Sequence, residues 1–106
     1  MAGSVEELTV QFTEEDGVIT CKEIAKEVLT KGTWATVMYL FADLDRKSGE
    51  YKAPKMCIRR YQKRQGDYKV KSKFNFSSAA QARQVADILL KWAEKSQGNE
   101  ESAEED

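Results

Sequence analysis

Apolar and polar residues alternate through the middle of the chain, and this pattern predicts β-strands. Residues 33–42 are rich in β-branched and aromatic side chains and too few for most helices, which favours a well-buried strand. Residues 55–63 and 67–76 follow a two-residue period, and the turn at Gly66 between them indicates a hairpin. Residues 7–13 follow the same period and predict a short strand that is half exposed to water. The chain is therefore expected to build a sheet.

Residues 20–30 carry the signals of a helix. They begin with a T-x-x-E capping pattern, place apolar side chains at positions 24, 25, 28 and 29, and are followed by Gly32 as a stop. The local pattern predicts a helix here, and an extended conformation imposed by tertiary contacts is the alternative.

A further helix is predicted after the last strand, from Ser78 to about Lys95. Ser78 and Gln81 match the S-x-x-Q capping box, and an apolar stripe follows. The stripe is wider than one packing face because Leu90 and Trp92 extend it. A helix that is apolar over more than one face usually contacts more than one partner. We therefore expect a homodimer with Leu90 and Trp92 near its interface.

Length and these elements predict one α+β domain. A chain of 106 residues holds one modest core, to which a second copy can add. We divide the chain into an N-terminal segment (1–16) with the short strand, an α+β domain (17–95) and an acidic tail (96–106). The tail lacks apolar periodicity and is expected to be disordered.

Composition lowers the expectation of an enzyme or a metal site. The chain has no histidine, the commonest general base and a frequent metal ligand. Its two cysteines, Cys21 and Cys57, are far apart in sequence and form no CxxC pair, so one chain cannot build a four-thiolate zinc site. The best carboxylate pair for chemistry, Asp43 and Asp45, is more typical of a turn. We expect no catalytic residues, no cofactor and no metal.

The chain also lacks membrane signals. The first residues have no basic start followed by an apolar stretch, and no run approaches the roughly 20 apolar residues of a spanning helix. A cytoplasmic location and no membrane partner are expected.

Charge is strongly segregated, although the formal net charge is only -1. Residues 46–73 hold eleven lysines and arginines against Glu50 and Asp67. Acid is concentrated elsewhere, partly in residues 99–106. Such asymmetry indicates an anionic partner for the middle of the chain.

The predicted strands place cations and an aromatic ring on one solvent-exposed face. Lysines and arginines along such a face attract phosphates, and an exposed ring stacks on bases at roughly 1–3 kcal/mol each. Single-stranded DNA is the expected partner, with RNA as an alternative. The candidate nucleic-acid-binding residues are Lys55, Arg59, Tyr61, Lys63, Lys69, Lys71 and Lys73.

Other interpretations remain open for this surface. Lysines on a half-buried sheet also protect its edges and keep a protein soluble, and a basic face can instead dock an acidic protein. Arg60 falls on the core side by parity, which favours an ion pair or a sheet-edge role over a ligand contact. Trp34 and Tyr39 have opposite parity, so one of them is expected in the core.

Three motifs together resemble the positive cofactor four family of transcriptional coactivators. They are I-R-R-Y at residues 58–61, the Gly66-Asp67 turn before a lysine-rich strand, and F-N-F-S-S at residues 74–78 before a helix. The resemblance spans about residues 34–92. It implies a strongly curved antiparallel sheet backed by a long helix, dimerisation through the helices, and a role in transcription regulation with the transcription machinery as a further partner.

The same resemblance implies that two sheets form grooves for single-stranded DNA. The residues that match the family's motif positions, and are therefore the groove candidates by this resemblance, are Arg59, Tyr61, Lys69 and Lys73. The chain departs from the family at two places. Gln62 stands where the family often has a second aromatic residue, and residues 70–71 replace a common Pro-Gly.

A helix at residues 20–30 would give the order helix, three strands, helix, which also resembles double-stranded RNA-binding domains. The Gly-Pro-x-His loop and the Lys-Lys-x-Ala-Lys helix start of those domains are not in the sequence. This similarity is the weaker alternative.

Overall fold

A computed structural model describes residues 3–96, in which one antiparallel sheet curls into a half-barrel and one helix follows it. The elements are a 3₁₀ turn at Val5–Glu7, β1 Phe12–Thr13, β2 Ile19–Thr30, β3 Trp34–Asp45, β4 Glu50–Tyr51, β5 Lys55–Arg64, β6 Asp67–Asn75 and α1 Ala79–Lys95. The sheet order is β1-β2-β3-β5-β6, and β4 pairs with the end of β3. The predicted α+β class, the strand at residues 33–42, the hairpin of residues 55–76 and the C-terminal helix are confirmed.

The helix that the local pattern predicts at residues 20–30 is wrong and the extended alternative is correct, because the segment forms the long strand β2. Its pairing with β3 slips at two bulges, where Ile24 and Leu29 have no opposite residue. Each bulge inserts one residue into the two-residue period. The insertions place apolar side chains at neighbouring positions, which imitates the spacing of an amphipathic helix. With β2 extended, the helix–three strands–helix order of double-stranded RNA-binding domains is absent from residues 3–96.

The two faces of the sheet have different coverings. We call the face that carries Val37, Tyr39, Cys57 and Tyr61 the covered face, because the N-terminal residues Val5, Leu8 and Val10 complete its core. The opposite face carries Met38, Ile58 and Arg60, and we call it the helix face because Val85 of α1 lies beside it. Within residues 3–96, the hydrophobic core cluster therefore lies on the covered face and includes residues that precede position 17.

Lys26 fastens the N-terminal segment to β2. Its ammonium donates hydrogen bonds to the carbonyl oxygens of Val5 at 2.7 Å, Glu6 at 3.3 Å and Leu8 at 2.6 Å. We call residues 3–11, so held, the strap. Because Lys26 pairs with Tyr39 on the covered face, the strap is fixed directly beside the core.

Replacing Lys26 with methionine is expected to lower the free energy of unfolding by about 1.5–3 kcal/mol, the range for hydrogen bonds to a charged group. Methionine retains the aliphatic stem but cannot donate to the three carbonyls. Urea unfolding followed by circular dichroism measures the change. Lys22→Met on the same strand is the control and should lower the free energy of unfolding by less than about 1 kcal/mol. Equal losses of stability in the two variants would show that Lys26 does not anchor the strap.

The β5–β6 hairpin turns at Gln65 and Gly66, which both have positive φ, and its register slips once along its length. Arg60 pairs with Ser72, whereas Tyr61 pairs with Val70, so Lys71 has no opposite residue. This bulge reverses the side-chain parity of β6. The two-residue alternation predicted for residues 67–76 is therefore interrupted at Lys71.

Helix α1 begins as predicted, with the Ser78 hydroxyl accepting a hydrogen bond from the Gln81 amide at 3.0 Å. None of its residues is buried. Leu90 is 69% exposed and Trp92 is 60% exposed. Helix α1 therefore leaves large apolar side chains exposed to solvent.

Residues 97–106, most of the predicted disordered tail, lie outside the described part of the chain. Within residues 3–96, no helix is long and apolar enough to cross a membrane.

Candidate nucleic-acid interface

Strands β5 and β6 form a hairpin whose positive charge is almost uncompensated. Residues 55–75, which we call the cationic hairpin, contain eight lysines and arginines and one acid, Asp67. Within residues 3–96 one ion pair joins two side chains, and it lies on the surface. Lys55 Nζ is 3.4 Å from Asp43 Oδ2. Exposed pairs of this kind contribute little to stability. Apart from Lys55, the cations of the hairpin therefore have no carboxylate in ion-pair contact among residues 3–96.

Four of the predicted cations do share a face. Strand parity puts Lys55, Arg59 and Lys63 on the covered face, and Arg59 pairs directly with Lys73 across the hairpin. We call these four residues the covered-face strip. From position 55 to position 63 it extends roughly 26 Å at the rise of a strand.

Arg59 is the innermost member of the strip. Its Nε is buried and has no hydrogen-bond partner among the described residues. Burial raises the pKa of the neighbouring Cys57 thiol, and the Arg59 charge, together with a side-chain hydrogen bond between Arg59 and this thiol, partly offsets that rise. Arg59 thus lies at the border between core and solvent, and its Nε–H group remains available to donate a hydrogen bond.

Tyr61 is not on a solvent-exposed face, and the sequence-based prediction of an exposed ring is wrong. Its side chain is 3% exposed, and its hydroxyl lies 2.9 Å from the hydroxyl of Tyr39. Burial, followed by this hydrogen bond, raises the pKa of Tyr39 above its usual value. Both rings belong to the core beneath the strap. Tyr61 cannot stack on a base in this conformation.

The predicted row of Lys69, Lys71 and Lys73 does not lie on one face. Lys73 joins Arg59 on the covered face, while Lys69 pairs with Gln62 on the helix face. Lys71 occupies the bulge between them. All three are exposed. The three lysines therefore follow the free edge of β6 from one side of the sheet to the other.

Trp34 and Arg60 form a contact that sequence reasoning missed. The central guanidinium carbon of Arg60 lies 4.4 Å from the centroid of the Trp34 ring. Trp34 pairs with Gln62, and Gln62 pairs with Lys69, so these side chains share the helix face. Arg60 makes no ion pair within the described residues, and it lies on the inner strand β5, so the structure shows neither the ion pair nor the sheet-edge role that parity favoured. The register between β3 and β5 was the missing signal.

The carboxylates considered for chemistry have structural contacts. Asp43 pairs with Lys55, and the Asp45 carboxylate accepts a hydrogen bond from the Lys47 amide at 3.0 Å, as a turn residue does. Residues 3–96 contain no cluster of three or more acidic or cysteine side chains able to hold a metal ion.

No family model, no curated protein and no solved structure matches this chain.

Proposed function

We propose that the protein binds single-stranded nucleic acid, DNA in the first instance, along the cationic hairpin, and that it regulates transcription as its resemblance to the positive cofactor four family implies. The observation that carries the proposal is the uncompensated charge of residues 55–75, which is gathered on two adjacent strands at one edge of the sheet. Phosphates bound there release counterions, which favours association.

Flexible single strands suit this surface better than a rigid duplex. The strap covers Tyr61, which lies between Arg59 and Lys63 on β5, so a ligand has to pass on the β6 side of the strip. A track over the free edge of β6 follows Lys73, Lys71 and Lys69 around a bend. An unpaired strand follows such a bend at low cost, whereas bending a duplex costs several kcal/mol.

We further propose that two copies associate through α1. The helix has no buried residue, and its outer side exposes Leu89, Leu90 and Trp92. Most of the stability of a helix in a protein comes from packing of its apolar face, and α1 has no buried residue to provide it. A second copy covers this surface with identical chemistry and doubles the number of cationic hairpins.

The binding test compares labelled single-stranded DNA, duplex DNA and single-stranded RNA by fluorescence anisotropy over a range of salt concentrations. Single strands should bind more tightly than duplex, with a log–log salt slope of about -0.7 per phosphate contacted. Lys71→Gln and Lys73→Gln should each make the slope shallower by about 0.7.

Lys95→Gln, at the end of α1 and outside the hairpin, is the matched control and should leave the slope unchanged. Equal and weak binding of all three nucleic acids would overturn the proposal and favour a surface that docks an acidic protein or serves solubility.

A further inference from the structure

The contact between Trp34 and Arg60 has the composition of a base-stacking site. Trp34, Arg60 and Gln62 are only partly buried, and Lys69 beside them is exposed. Arg60 Nε is buried without a hydrogen-bond partner among the described residues, and the facing cross-strand residues, Thr36 and Ser72, carry hydroxyls and no compensating charge. An arginine with a buried guanidinium nitrogen normally has a carboxylate to balance it. Here the flat cation is held against an aromatic ring and remains available to an anionic ligand.

The position of this contact connects it to the lysine track. Trp34, Gln62 and Lys69 are opposite one another on three adjacent strands, so they form one row across the helix face. Lys69 is the end of the track that passes over the edge of β6. A phosphate bound at Lys69 brings the attached nucleoside towards Gln62 and the Trp34–Arg60 pair.

An open hollow adjoins the pair and has room for a nucleobase. It has a volume of about 420 Å³ and lies between the sheet and α1. Its lining is mostly apolar, from Ile58, Phe74, Phe76 and Val85, with Arg60, Thr36 and Ser72 among its polar residues. Phe74 is 52% exposed. Aromatic rings and guanidinium planes stack on unpaired bases, and hydroxyls hydrogen-bond to base edges.

We propose that Trp34 and Arg60 form a stacking platform for an unpaired base, with Lys69 on the adjacent phosphate. The inference rests on the proposed nucleic-acid binding and deepens it, since it assigns base contacts to the helix face and phosphate contacts to the edge of β6. It also supplies the aromatic contact that buried Tyr61 cannot make.

The test uses the intrinsic fluorescence of Trp34. The chain has two tryptophans, so Trp92→Phe leaves Trp34 as the single emitter and retains an aromatic ring on α1. This variant is titrated with a thymidine oligonucleotide and with an abasic oligonucleotide of the same length, which has the same phosphates and no bases. Anisotropy of a label on each oligonucleotide reports binding independently.

Both oligonucleotides should bind, the thymidine strand more tightly by roughly 5- to 150-fold per stacked base, and only that strand should quench Trp34. Arg60→Lys keeps the charge but removes the planar guanidinium group. It should therefore reduce the preference for the thymidine strand over the abasic strand and leave the salt slope unchanged.

Binding of the thymidine strand without quenching would overturn the platform and leave the proposed function standing. Equal quenching by the abasic strand would also overturn it, because the backbone alone would then account for the signal. Failure of both strands to bind would overturn the proposed function and the platform together. The main readout needs no change at Trp34 or Arg60, so it does not depend on how such variants fold.

Discussion

Replacing Tyr61 with alanine is expected to lower the free energy of unfolding by about 3–5 kcal/mol, the range for removing a large aromatic side chain from a core. Tyr61 is 3% exposed and packs in one cluster with Val5, Leu8 and Val10 of the strap. Its loss leaves a cavity between strap and sheet and deprives the Tyr39 hydroxyl of its partner. Urea unfolding followed by circular dichroism measures the effect.

Tyr61→Phe separates the ring from the hydroxyl in the same measurement. It keeps the packing and should cost only about 0.5–1.5 kcal/mol, the net value of one hydrogen bond. Where these variants remain folded, their salt slope for single-stranded DNA should match that of the parent protein. A Tyr61→Ala protein with unchanged stability and weakened DNA binding would show instead that the ring is an exposed ligand contact.

Replacing Trp92 with aspartate is expected to weaken self-association by about 2–4 kcal/mol, or roughly 30- to 700-fold in the dissociation constant, as for a hot-spot residue. The side chain is 60% exposed on a helix without buried residues, so its substitution does not disturb the covered core. Leu90→Asp should act in the same direction. Sedimentation equilibrium over a range of protein concentrations measures the constant.

The control for this substitution is Gln84→Asp, which makes the same change of charge at an exposed polar position of α1. It should leave the dissociation constant within a factor of a few of the parent value. A parent protein that stays monomeric at tens of micromolar would refute the dimer.

The elements that sequence predicted correctly are those whose signals are local. Strands β3, β5 and β6 and the helix cap at Ser78 each carry their pattern within a few consecutive residues. Strand β2 does not, because its two bulges add Ile24 and Leu29 to the alternation. A bulge is set by pairing with a neighbouring strand, so one strand read alone does not contain it.

The candidate site was predicted in part for a related reason. Parity correctly separated the odd and even residues of β5, but it did not say which face the rest of the chain would cover. The strap decides that, through contacts between residues such as Val5 and Tyr61 that are distant in sequence. The bulge at Lys71 and the meeting of Trp34 with Arg60 are likewise products of register.

The strap also dictates an order of events during protein synthesis. Its apolar side chains leave the ribosome before their partners on β5, a delay of roughly 3–10 s at ordinary translation rates. The β2–β3 hairpin can form in that time, but the face of this hairpin that carries Tyr39 remains exposed to solvent until Tyr61 has been synthesised. A nascent chain that stops before β5 is synthesised therefore exposes apolar surface on both the strap and the sheet. Chaperone binding is expected to matter most at that stage.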